Sequence, residues 1–400
     1  MCAALVAILT LASCGTRTES APLPPSESSG IDLKPDTTGA GTTPGALFSA
    51  TTLPTIERNL KAATSLAARV SYTSTSGITD DVTEVTAAVF VPAGTPPPGG
   101  WPIVVYAHAT TGISPECAPS RSPNLLGTSS QVQVFLEAGY LVVAPDYQGL
   151  GLDHTYHPYL DSTTAGYNVI DSVRAARQLV PTASDRWLAV GQSQGGQAAW
   201  AANELAATYG TGLTLQGTVS IAPPTDITGY VTSVEAGTLT REQKGTFQLI
   251  LAALKAEHPD LNLDDYRRGL VEERWALMSS CQFAQKDERQ ALLDQISADD
   301  LRPSSPEAAA TLLNHLTEMG LPKRPTAAPM LVIYGGKDTH QLAEWTERAL
   351  ASACAMGDVI DVRFDANRGH SDVDATAAIS WINSRFANNP PPDGCAAPQP

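Results

Sequence analysis

Positive charge is scarce in this chain: 25 Lys and Arg stand against 41 Asp and Glu in 400 residues, a formal net charge of −16. No basic cluster is available to release counterions from a phosphate backbone, which excludes a nucleic-acid partner and leaves solubility as the use of the acidity. Long apolar runs are missing as well. The stretch Ala3–Ala12 is almost wholly apolar, but about ten residues are too few to cross a bilayer as a helix. No internal repeat is evident. Disorder is excluded by a hydrophobic content of 42%, which can bury one large α/β domain with an insertion, or two modest domains.

Cysteine is sparse, and its placement is informative. The apolar stretch ends in Leu11-Ala12-Ser13-Cys14, the pattern of an export signal followed by a bacterial lipobox, with Cys14 as the lipid-modified residue. No Lys or Arg precedes the stretch, and the competing reading is ordinary signal cleavage without lipid. A single acyl chain anchors only marginally, whereas lipoprotein modification places several on one cysteine. Taking residues 1–14 as leader leaves Cys117, Cys281, Cys354 and Cys395, an even number in an exported chain, so two disulfides are expected with three pairings open. Residues 15–45, rich in Ser, Thr, Pro and Gly, read as a flexible tether.

Strand-like runs then recur at Arg69–Ser74, Thr83–Val91, Pro102–Ala107, Gly139–Ala144, Trp187–Val190, Leu215–Ile221, Met330–Tyr334 and Val359–Phe364. Helix-like stretches separate most of the later ones, which predicts the α/β class: a mostly parallel sheet covered by helices on both faces. Between Pro223 and Pro329 the alternation lapses into helical patterns, among them Arg241–Glu257 and Leu263–Met278. The strand pattern resumes at Met330, so residues 227–325 read as a helical cap inserted into a core formed by 46–226 and 326–400, in preference to a second independent domain.

One short segment carries chemistry. Gly191-Gln192-Ser193-Gln194-Gly195 spells G-x-S-x-G, which arises by chance in roughly one chain in five at this length and glycine content. Its setting sharpens it. An apolar strand, Trp187–Val190, feeds the turn and a helix-like run leaves it, as a nucleophile elbow requires; the glycines leave room for a strained backbone that holds the serine hydroxyl clear of the sheet. A serine needs a base and an orienting acid, and in this architecture they follow in the order acid, then histidine, each past a later strand. Asp338 lies in Gly335-Gly336-Lys337-Asp338 after the strand ending at Tyr334, and His370 lies in the loop after Phe364. Asp226 and Asp365 are the competing carboxylates; the glycine pair favours Asp338. His340 is too near Asp338 in sequence to accept an easy orienting bond, although it can line the pocket. The oxyanion requires two amides, the first from Gln194 and the second from Thr110 or Thr111 in the loop after the strand ending at Ala107.

Asp153-His154-Thr155-Tyr156-His157 places two histidines and an acid together. No complete ligand set accompanies them, so they read as satisfied loop residues, with no metal and no cofactor implied.

With these residues placed, the chain resembles the secretory lipase family, the fungal lipase A type and its bacterial relatives. The resemblance rests on His108-Ala109-Thr110-Thr111-Gly112, Cys117-Ala118-Pro119-Ser120, Asp146-Tyr147-Gln148-Gly149-Leu150-Gly151, His157-Pro158-Tyr159-Leu160 and the elbow. It implies an α/β-hydrolase fold with a helical cap, triad positions at Ser193, Asp338 and His370, and disulfides Cys117–Cys281 and Cys354–Cys395. Ala109 departs from the pattern, since many relatives have glycine there, and its methyl group narrows the approach to the oxyanion loop. The expected function is carboxylic ester hydrolysis through an acyl-enzyme on a small-molecule or lipid ester, with short or medium acyl groups favoured by a cap rich in charge and short of Phe and Trp. A serine peptidase on the same fold and a non-catalytic surface lipoprotein are the alternatives.

Overall fold

A computed structural model describes residues 30–281 and 283–395; the leader, Cys14 and residues 15–29 of the expected tether lie outside them. Nine strands of the described residues form one sheet: β1 (Leu47–Thr52), β2 (Thr64–Thr75), β3 (Val82–Pro92), β4 (Trp101–Ala107), β5 (Leu141–Pro145), β6 (Ala183–Gln192), β7 (Thr214–Ile221), β8 (Met330–Gly335) and β9 (Ile360–Asp365). Their order is β1-β2-β3-β5-β4-β6-β7-β8-β9. The pairs from β1 through β5 run antiparallel, and those from β5 through β4 to β9 run parallel.

The parallel strands β4, β5 and β8 are almost wholly apolar because both faces are covered. Along β4, Ile103, Val105 and Ala107 enter a core shared with the helices Ser162–Leu179 and Gln194–Tyr209. The alternate residues Val104 and Tyr106 enter the opposite core, with Phe135, Leu136 and the C-terminal Trp381 and Ile382. This is the period of two that a strand imposes. Together these layers are an α/β-hydrolase fold.

Between β7 and β8 the described chain is helical. Its longest helix is Arg241–Glu257, whose start is set by a capping box: the Thr240 hydroxyl accepts from the Gln243 amide while the Gln243 side chain returns to the Thr240 amide. Phe247, Ile250, Leu251 and Leu254 of that helix pack with Tyr230, Leu312 and Leu316 in a separate apolar cluster above the sheet. The expected continuous helix Leu263–Met278 is instead broken into the short helices Gly269–Glu273 and Trp275–Ser279. Arg268 is extended, with its amide given to the Asp300 carbonyl, and Gly269 takes a positive φ of 54°. Apolar spacing there still faces the cluster, but the backbone bonds leave the helical ladder.

Residues 30–45, expected in the tether, are held to the sheet by hydrogen bonds, although half of them stay exposed. The Leu33 amide donates to the Ala50 carbonyl, the Thr52 amide to the Ile31 carbonyl, and the Gln178 side chain holds the Asp36 carbonyl at 2.7 Å. Main-chain bonds to the edge strand β1 need no large side chains, so composition does not reveal them. Two disulfides are present, Cys117–Cys281 and Cys354–Cys395, the first tying the loop after β4 to the inserted helices.

Candidate active site

β6 runs directly into the helix Gln194–Tyr209, and Ser193 sits on the corner with φ 53° and ψ −125°. A serine in that region carries strain of order 1–3 kcal/mol. The surroundings hold it there. The Ser193 amide donates to the Ile221 carbonyl at 2.8 Å, and its own carbonyl accepts the Gln197 amide. Both flanking glycines are required by space: a Cβ on Gly191 would lie 2.3 Å from the Gly195 carbonyl, and one on Gly195 would lie 1.9 Å from the Ala107 oxygen.

Asp338 is buried at the end of the loop that follows β8, and its two oxygens have separate tasks. Oδ1 accepts the amides of His340 and Gln341, both at 2.8 Å, while Oδ2 accepts Nδ1–H of His370 at 2.7 Å. With Nδ1 so engaged, Nε2 of His370 is the basic nitrogen. The two loops close tightly because Gly335 faces the Arg368 carbonyl, where a Cβ would come within 2.2 Å. Gln192 donates to the His370 carbonyl at 3.0 Å, joining the elbow strand to the histidine loop. The competing carboxylates lie elsewhere: Asp226 is bonded to Arg348 and Thr228, and Asp365 faces solvent beside Arg368.

Ser193, His370, Thr110 and Thr111 open onto one cavity of about 540 Å³. Its far wall comes from the inserted helices and mixes Arg241, Glu242, Ser279 and Gln290 with Leu249 and Met278. Ala109 also lines the cavity. His340 lines it too, its ring stacked on that of His370 with centroids 4.4 Å apart.

Beneath the loop 108–112 lies a layer that sequence reasoning left without a role. The Tyr147 hydroxyl donates to the His108 carbonyl, and the Tyr159 and Thr110 hydroxyls share a bond of 2.8 Å. Gln194 is buried, and its side-chain amide donates to Nε2 of His157 at 2.8 Å while Nδ1–H of His157 donates to the Gln148 carbonyl. That arrangement demands a neutral imidazole, and burial pushes the His157 pKa down to about 3. Gly112 sits against the Cys117–Cys281 disulfide, where a Cβ would meet the Cys117 sulfur at 2.4 Å. The Thr111 hydroxyl is buried without a hydrogen-bond partner. His154 is apart from this layer, 3.8 Å from Glu84. No group of three or more His, Cys, Asp or Glu among the described residues could hold a metal ion.

The signal that could have identified this layer was the segment His157-Pro158-Tyr159-Leu160, legible as a landmark but not as a support. Gln194 and His157 are separated by 37 residues in the chain, and nothing local couples them.

Comparison with known proteins agrees with the architecture. Candida antarctica lipase A in its closed state aligns with a TM-score of 0.72 at 17% identity, over 90% of this chain and 86% of that one. A ligand-bound form of the rice cell wall degrading esterase LipA from Xanthomonas oryzae aligns at 0.64 and 20% identity, over 86% of this chain and 96% of that one. No curated protein sequence matches. The family model of the secretory lipases matches residues 128–394, a span containing Ser193, Asp338 and His370. The chain belongs to the secretory lipase family.

Proposed function

We propose that this exported ester hydrolase works through an acyl-enzyme formed on Ser193. His370 takes the serine proton through Nε2 as the hydroxyl attacks the ester carbonyl, then returns it to the leaving alcohol; a water molecule, activated the same way, releases the acid. Asp338 holds the imidazole in the required tautomer and stabilises the imidazolium. The oxyanion is received by the Gln194 amide and by the amide of Thr110 or Thr111, an interaction worth on the order of 3 kcal/mol per donor in the transition state. The observation that carries the reading is the 2.7 Å bond from His370 to the buried Asp338 at the edge of the cavity that also receives the elbow serine.

The mixed polar and apolar far wall favours short or medium acyl groups over long alkyl chains, which need a continuous apolar tunnel. Attachment to a membrane through a lipid on Cys14 is part of the same proposal. Purified protein is assayed against a series of 4-nitrophenyl esters from acetate to palmitate, with Ser193→Ala as blank. Activity peaking at or below octanoate, abolished in the variant together with fluorophosphonate labelling, is expected. Labelling that survives Ser193→Ala would sink the nucleophile assignment, and a maximum at palmitate would sink the acyl preference.

A further inference from the structure

His340 is set in place from two directions. Its amide donates to Asp338 Oδ1, while its carbonyl accepts from the Gln243 side chain at 3.3 Å and from the Tyr230 hydroxyl at 3.4 Å. The neighbouring Thr339 carbonyl accepts the Thr240 hydroxyl at 2.6 Å. The backbone of 339–340 thus bridges the carboxylate that orients His370 and the first turn of the long inserted helix. Backbone held so firmly puts the side chain in one place, and that place is the face of the His370 ring, at 4.4 Å with an interplanar angle of 29°. Both His340 and His370 line the cavity.

We propose that His340 is a positioning residue for the general base, a neutral aromatic plate that confines the His370 ring and attracts the imidazolium formed when the serine proton is taken up. The inference rests on the functional reading above. A ring face carries negative quadrupole density, so a cation stacked on it is favoured over the neutral ring, and the preference is largest where water is excluded. His340 exchanges no proton: the proton leaves Ser193, resides on His370 and passes to the departing alcohol. Neutrality of the plate is essential, because a second positive ring would oppose that transfer. The charged and titratable groups facing it are His370, Asp338, Glu242 and Tyr230, with Arg241 and Arg289 farther along the cavity wall. Burial, followed by the proximity of His370, pushes the His340 pKa down to about 4.

The test compares His340→Ala, His340→Phe and His340→Lys in the full chain, with kcat and KM for 4-nitrophenyl butyrate, pH–rate profiles and thermal melts. His340→Ala is expected to lower kcat about tenfold with KM changed less than twofold. His340→Phe restores kcat to within about threefold of wild type, since a plate without titratable nitrogens performs the same task. His340→Lys moves the acidic limb of the profile to lower pH by about one unit. A kcat for His340→Ala equal to wild type would overturn the proposal. So would a His340→Phe as slow as His340→Ala, which assigns the effect to the ring nitrogens, or a change confined to KM, which assigns it to substrate binding. Melting temperatures matching wild type separate these outcomes from misfolding, and His340→Phe, of similar size, serves where His340→Ala does not fold. Wild-type protein inactive on every ester would instead refute the functional reading itself.

Discussion

Replacing Gly195 by alanine adds one methyl group where there is no room for it. The new Cβ would lie 1.9 Å from the Ala107 oxygen, 2.6 Å from the Ala107 carbonyl carbon and 2.8 Å from the His108 oxygen. Favourable carbon contacts lie near 3.5 Å, so a separation of about 1.5 Å has to be made up by movement. All three atoms are backbone. β4 cannot supply the movement, because it is paired with β5 on one edge and β6 on the other. The helix Gln194–Tyr209 must shift instead, and it carries the Gln194 amide and the corner at Ser193.

Overpacking of this kind costs about 1–3 kcal/mol of stability, and a misplacement of about 1 Å at the reacting groups costs about 100-fold in rate. Gly195→Ala is therefore expected to melt several degrees lower and to lose about two orders of magnitude in kcat. Gly196→Ala is the matched control: its Cβ would meet the Ile221 oxygen at 3.0 Å and Pro223 at 3.2 Å, tight contacts that small adjustments relieve. Differential scanning fluorimetry and ester kinetics on both variants give the comparison. A Gly195→Ala protein with kcat within threefold of wild type, or one no worse than Gly196→Ala, would refute the reasoning.

Opening Cys117–Cys281 by paired alanine substitution releases a loop of 164 residues, against 41 for Cys354–Cys395. Chain entropy then predicts losses of about 5 and about 4 kcal/mol. Because the first bridge also backs Gly112, only its removal should lower kcat at temperatures where both variants remain folded; equal kinetic effects would contradict this. Glu257, half-buried at the end of its helix, has one oxygen without a partner, and burial followed by the charge of Asp161 pushes its pKa up to about 8. A raised pKa means the folded state holds the proton longer than the unfolded one, so its contribution is fully present below the usual glutamate pKa and is lost as pH climbs through about 8. Glu257→Gln should raise the unfolding free energy at pH 9 by roughly 1 kcal/mol after allowance for partial solvation, seen as a higher melting temperature, and leave it nearly unchanged at pH 4. An identical gain at both pH values would refute the assignment.

What the residues alone revealed follows from how local each constraint is. The buried strands announce themselves because β4, β5, β8 and Trp187–Val190 of β6 are apolar at nearly every position, and the loops bearing Asp338 and His370 are located by their order after those strands. Arg241–Glu257 is legible from end to end because its periodicity and its capping Thr240 agree. β1 was missed: six residues with only Leu47 and Ala50 buried give little pattern. Attachment of 30–45 was missed because it is made mostly through main-chain bonds. The Cys pairing stayed open on residues alone, since it depends on which loops meet over 164 positions, and only the family resemblance resolved it. Gly269 inside an apolar periodicity was the available warning that Leu263–Met278 could not be one helix.

The family landmarks upstream of the elbow turn out to be supports more than reagents, and this explains why they could be recognised before they could be understood. Asp146 is buried and accepts the Ser120 amide, the Ser120 hydroxyl and the Thr86 hydroxyl, while Arg69 bridges Ser120 to the Gly151 carbonyl. Desolvation raises the Asp146 pKa, and those hydrogen bonds oppose it. The cluster therefore pins the loop after β5 at both ends. Gly149 lets that loop fold onto the backbone of Tyr156 and His157, where a Cβ would come within 2.0 Å. The loop in turn brings Tyr147, His157 and Tyr159 under the Ala107–Gly112 turn, where they hold the His108 carbonyl, the Gln194 side chain and the Thr110 hydroxyl, next to the amides proposed to receive the oxyanion. Preorganised donors act without rearranging when charge develops, and these bonds hold the donors' loop although the Thr111 hydroxyl and one side-chain oxygen each of Gln148 and Gln194 have no partner. The bonds that hold the proposed oxyanion amides thus run through Arg69, Ser120, Asp146, Tyr147, His157 and Tyr159, none of which is a proposed donor or nucleophile.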